Sequence, residues 1–138
     1  MTMNLRRALF ALAGLGLVTA LAFLLSGHSE SRQWPIVRVP AEKSADAEKR
    51  LTAWLAEKGF KPVPAARHIG PSQVCYEGPA AGTRRPISVV LYKTPELNCD
   101  VLWTFEGHDL FFKEDRSKAQ GFVLALKSWC AAYVGDPE

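Results

Sequence analysis

The sequence predicts an α+β domain behind an apolar N-terminal segment. Three observations carry that expectation: an uncharged run near the N-terminus, two stretches with helical apolar periodicity, and several runs rich in Val, Leu, Tyr, Trp and Phe between them. The chain has 138 residues, which leaves about 110 behind the leader, enough for one core. The expected architecture is a small antiparallel sheet of roughly three to five strands with two amphipathic helices packed on one face. That arrangement buries both helix stripes and one sheet face together.

From Ala8 to Leu25 the sequence has no charge and only Thr19 as a polar residue, an 18-residue run that reaches the lower range for a bilayer-spanning helix. Ala8, Leu12, Gly16, Ala20 and Leu25 mark this expected membrane segment. Arg6 and Arg7 precede it and no comparable basic cluster follows, so the positive-inside rule puts the N-terminus in the cytoplasm and the rest outside. Residues 1–27 thus read as a signal anchor in an inner or cell membrane, crossed once. Ala20 and Ala22 also fit the cleavage site of a signal peptide, which is the alternative. The apolar run continues through Phe23, Leu24 and Leu25 beyond that site, which favours an uncleaved anchor. Flanking residues Asn4, Leu5, Ala8 and Leu9 match a twin-arginine signal poorly. Gly16 and Ala20 have the small-xxx-small spacing used in helix packing, although such residues are common in spans generally.

Residues 28–33 are small and polar, the composition of a short exposed tether, and the domain is expected over 34–138. Trp34 to Pro40 is β-branched and bounded by prolines, which suits an edge strand. From Ala41 to Lys58, Ala47, Leu51, Trp54 and Leu55 follow a helical rhythm, and Gly59 followed by Phe60 fits a Schellman end. Pro62 and Pro64 make the next stretch extended. Gln73–Glu77, Ile87–Thr94 and Cys99–Glu106 are the strongest strand candidates, with a hairpin over Pro95–Asn98. Glu106 to Asp109 reads as a turn and Leu110 to Phe112 as a fourth short strand. Ser117 and Gln120 fit the capping box of a final helix, whose stripe is Phe122, Leu126, Trp129, Cys130 and Tyr133.

The cysteines are Cys75, Cys99 and Cys130. Outside the cytoplasm disulfides form and persist. Strand alternation puts Cys99 with Val101, Trp103 and Phe105, and helical spacing puts Cys130 with Leu126 and Tyr133, so a Cys99–Cys130 bridge is the expected pairing. Cys75 alternates to the opposite face and is the odd one. Three unbridged thiols are the alternative.

The formal charge is +3, two units of which are Arg6 and Arg7, so the domain lacks the basic stripe of a nucleic-acid reader. No HExxH, CxxC, GxSxG or phosphate-binding glycine loop occurs, and nothing calls for a cofactor or a metal. The densest polar cluster is Glu106, His108 and Asp109, a set suited to general-base chemistry or metal ligation and equally natural in a solvated turn. His68 lies in a loop without a partner in sequence. Arg84 and Arg85 sit on a loop whose composition is that of an ordinary solvated hairpin connection; if the domain binds a partner, they and Tyr76 and Tyr92 are the candidate contact, because Arg and Tyr are favoured at interface centres. The four tryptophans are expected in the core, with Trp34 the one placed to reach a membrane surface. The expectation is a membrane-anchored, extracytoplasmic protein-binding domain: an accessory subunit of an envelope or membrane complex, or an inhibitor or immunity-type factor. A small enzyme or ligand-binding protein using the 106–109 turn is the alternative.

Overall fold

The computed structural model describes residues 6–8, 10–11, 27–63, 72–79 and 82–133. Within them the order is β1 (Gly27–Val39), α1 (Ala41–Glu57), β2 (Lys61–Pro62), β3 (Gln73–Gly78), β4 (Ile87–Thr94), β5 (Glu96–His108) and α2 (Asp109–Tyr133). The five strands form one antiparallel sheet in the order β1-β5-β4-β3-β2. This is the expected α+β architecture, and the core cluster joins residues of both helices to one face of the sheet. Arg6, Arg7 and Ala8 are exposed and helical, whereas Leu12, Gly16, Ala20 and Leu25 of the apolar run lie outside the described residues. Among the described residues no helix is long and apolar enough to cross a membrane.

Proline positions fix the two edges of the sheet. Pro35 sits where the β1–β5 register shifts, and Pro62 lies on β2, so neither ring removes a donor from a central ladder. The expected tether is corrected here: residues 27–33 belong to β1, with Gly27 opposite His108 and Arg32 opposite Trp103. Their polar composition conceals the strand because its helix-facing positions are filled by the half-buried His28 and Glu30 and not by apolar residues. His28 and Glu30, half-buried, lie on the helix-facing side in register with Gly107 and Phe105.

Helix α1 ends as its sequence predicts. Gly59 has φ 87°, and the Phe60 and Gly59 amides donate to Leu55 and Ala56 at 2.9 and 3.1 Å, the two bonds of a Schellman motif. The turn drives Phe60 into the core, stacked on Phe122 at 5.1 Å. Gly78 on β3 makes room for it, because a Cβ there would lie 2.5 Å from the Phe60 ring.

The second helix starts eight residues before the expected capping box, at Asp109 rather than at Ser117. His108 stands at the cap position, its Nδ1 accepting from the Leu110 amide at 3.1 Å, and Asp109 complements the helix dipole. The expected turn and fourth strand are therefore the end of β5 and the first turn of α2. Leu110, Phe111 and Phe112 read as strand because three consecutive apolar residues have no helical period. In the helix only Phe112 turns toward the core, while Leu110 and Phe111 are 65% and 42% exposed.

One buried charge ties these parts together. Asp115, 4% exposed, accepts from the Trp103 indole at 2.8 Å and from the Arg84 amide at 2.7 Å. Both its oxygens are thus met by N–H donors from other elements, as a buried carboxylate requires.

Two stability measurements test this packing. Gly78→Ala is expected to cost about 1–3 kcal/mol through overpacking against Phe60, read as a lower urea midpoint. Asp115→Asn turns one acceptor into a donor facing an N–H and should cost about 2 kcal/mol. An unchanged midpoint for the Asn variant would mean that the carboxylate is not the anchor.

Candidate functional site

The cleft with the strongest recognition chemistry lies between the two helices. Trp54 on α1 and Trp129 and Tyr133 on α2 line it with Arg50, Ala53 and Glu57, enclosing about 330 Å³. The i,i+4 spacing of Trp129 and Tyr133 places one ring above the other along a single helical stripe, 5.8 Å apart. Trp54 meets Trp129 at 5.5 Å and Phe122 at 6.0 Å. Its inner edge is thereby fixed to the core while Tyr133 remains 61% exposed. Arg50 bridges the helices, donating from Nη1 to the Tyr133 carbonyl at 3.2 Å and pairing through Nε with Asp46 at 3.0 Å. The Lys58 ammonium stands 5.6 Å from the Trp54 ring centre. The result is a rigid aromatic floor rimmed by charges of both signs, suited to an apolar or aromatic side chain of a partner.

Two other clefts are built differently. One of about 390 Å³ lies at the β1 bulge, between Pro35, Ile36, Arg38, Asp100 and Lys127. There Arg38 pairs with Glu96 and Gln33 donates to Asp100, so two of its lining polar groups are already engaged. Another, of about 470 Å³, lies at the β2–β3 edge among Pro62, Pro79 and Pro86. Neither has the contiguous aromatic rings of the helical cleft.

The expected contact residues are not brought together. Tyr76 is on the helix-facing side of β3, packed against the core, and Tyr92 is on the open side of β4, opposite Asn98. Burial raises both phenols above their ordinary value. Arg85 pairs with Glu106, while the Arg84 guanidinium lies 4.0 Å from the Phe111 ring centre. Register explains the scatter: adjacent strands carry the two tyrosines at positions of opposite parity, hence on opposite faces.

The Glu106, His108 and Asp109 set is also dispersed. Glu106 turns to Arg85, His108 caps α2 and Asp109 faces His28 Nδ1 at 3.5 Å. His28, which composition placed in a tether, is the better organised imidazole. Its Nε2 lies 3.7 Å from Glu30 and its ring 4.1 Å from Phe112. Both ring nitrogens face carboxylates, so neither is turned toward a substrate. Among the described residues no three His, Cys, Asp or Glu side chains stand together as metal ligands. His68 lies outside the described residues.

Trp34 is half-buried, 6.0 Å from Trp103 and packed on the core, rather than set at a surface. Trp54 and Trp129 were expected as core and are so only along one edge; the signal for the cleft is their shared stripe with Arg50 and Tyr133. All three cysteines are free thiols. Cys99 and Cys130 share the core, as expected of a pair, but the expected bridge between them is not formed, and they pack as small apolar groups. Cys75 lies on the open face, where burial raises its thiol against a lowering hydrogen bond with Ser88. Comparisons with protein families, with curated proteins and with solved structures find no match.

The thiols set an alkaline limit. Burial pushes Cys130 up to about 12, and burial, with Cys130 and Asp100 adding, raises Cys99 well above 9.0. Below pH 9 both folded and unfolded thiols are protonated and stability is unaffected. Between about pH 9 and about pH 12 the unfolded chain loses the Cys130 proton that the fold retains, so stability falls by roughly 1 kcal/mol per pH unit, and the raised Cys99 thiol acts in the same direction. Urea titrations from about pH 8 to about pH 11 should show this decline, and Cys99→Ala with Cys130→Ala should flatten it.

Proposed function

We propose that this chain is a membrane-anchored, extracytoplasmic domain that binds a protein partner through the aromatic cleft between α1 and α2. The observation that carries the reading is the contiguous Trp54, Trp129 and Tyr133 surface, backed by the core beneath it and bridged by Arg50. Anchors of this kind dominate binding energy because they present large apolar area with little rotamer freedom to lose. The uncharged run from Ala8 to Leu25 behind Arg6 and Arg7 supports the anchor and its orientation. Anchoring confines the domain beside other membrane proteins and so raises their effective concentration. An accessory subunit or an inhibitor of a membrane complex would use such a surface. The enzymatic alternative has less support, since Glu106, His108 and Asp109 each engage a different group.

The test uses the full-length chain in its own cells, with a photoreactive phenylalanine analogue at Tyr133 or at Thr104 on the open sheet face. A discrete adduct from position 133, absent from 104 and reduced at least about fivefold by Trp129→Ala, is expected. Equal labelling at both positions would sink the cleft. Membrane-fraction protein should keep its full 15.2 kDa mass; loss of the leader would remove the anchor.

A further inference from the structure

The end of the domain opposite the aromatic cleft has its own surface chemistry. The apolar run stops at Leu25, and β1 begins at Gly27. One residue, Ser26, separates them in sequence, so β1 begins at most about 7 Å of extended chain from where the run ends. Gly27 lies opposite His108, which caps α2, so the same end displays the first turn of that helix.

That first turn exposes Leu110 and Phe111. Cations flank this turn. The Arg84 guanidinium lies 4.0 Å from the Phe111 ring centre, Arg116 lies 5.3 Å from that of Phe112, and exposed Lys113 is one turn from Leu110. Glu106 pairs with Arg85 and Glu114 with Lys118, while Asp109 faces His28 and the buried Asp115 takes two N–H donors. Arg84, Lys113 and Arg116 thus stand against Asp109 and Asp115, a small positive excess whose cations are at the surface. Exposed Leu and Phe flanked by Arg and Lys are the composition of an interfacial element, apolar groups entering the acyl boundary while cations meet the headgroups.

We infer that this tip, Leu110 and Phe111 with Arg84, Lys113 and Arg116, docks on the bilayer beside the anchor and engages anionic lipid headgroups. The inference rests on the proposed anchor, since continuity with the apolar run is what brings the tip to the membrane. Docking stands the domain in one orientation with α2 leading away from the bilayer. A 25-residue helix is about 37 Å long, so the cleft at its far end is held clear of the headgroups.

The experiment places a photoreactive phenylalanine analogue at 17, 110, 111 or 124 in the full chain, reconstituted in nanodiscs. One set is phosphatidylcholine and the other contains about one-third phosphatidylglycerol. Position 17 reports the anchor, and exposed Leu124 lies about 21 Å further along α2 than Leu110. Lipid adducts at 17, 110 and 111, at least about tenfold above those at 124, are expected. The combined Arg84→Gln, Lys113→Gln and Arg116→Gln variant should lower the adduct at 111 at least about threefold on the anionic discs. Adducts at 17 without any at 110 or 111 would overturn the docking and leave the anchor standing. Adducts at none of the four positions would overturn both, as would equal yields at 111 and 124 for the docking alone.

Discussion

The Asp115 carboxylate is the point on which the arrangement of this domain turns. It stands within α2, and its two oxygens take the Trp103 indole of the inner strand β5 and the backbone amide of Arg84. A buried carboxylate tolerates few geometries, because each oxygen left unmet costs on the order of 1–3 kcal/mol. Satisfying both at once fixes the depth of α2 on the sheet and the position of the 82–86 loop. The Arg84 side chain is then delivered above Phe111, one turn earlier on the same helix. A core constraint thus shapes a surface.

The fold was legible where local chemistry and tertiary packing agree. Gly59 followed by Phe60 predicted the end of α1 because a positive φ and the contact it creates are local. Strands β3, β4 and β5 are legible by apolar content, since they are the three inner strands of the sheet. Strand β1 did not. Its first seven residues are held by backbone pairing to β5, an interaction that leaves no mark on side-chain composition at an edge. The start of α2 was misplaced for a related reason: a histidine cap has no strong sequence signature, whereas Ser117 and Gln120 imitate one inside the helix.

The sites were less legible than the fold. Arg84, Arg85, Tyr76 and Tyr92 are near in sequence, but parity sends the two tyrosines to opposite faces and separate partners hold the two arginines. Trp54 and Trp129 lie 75 positions apart, and only the packing of α1 against α2 makes them neighbours. Each follows the apolar stripe of its own helix, so periodicity alone assigns it to the core. Arg50 and Tyr133, recurring at i,i+4 from the two tryptophans, are the trace that the stripe continues past the core onto the surface.

The correction at residues 27–33 bears most directly on function. A flexible tether would let the domain sample many orientations and would leave the position of its binding surface undetermined. A strand paired from its first residue removes that freedom. With β1 beginning at Gly27, the direction in which the described chain enters the sheet is set by the same ladder that sets β5, and β5 leads directly into α2. The direction of α2 relative to the point of entry is therefore a property of the fold and not of a linker. Under the proposed anchor this places Leu110 and Phe111 at the bilayer and Tyr133 away from it. Binding then loses less orientational entropy than it would for a swinging domain, a gain obtained without any additional contact to the partner.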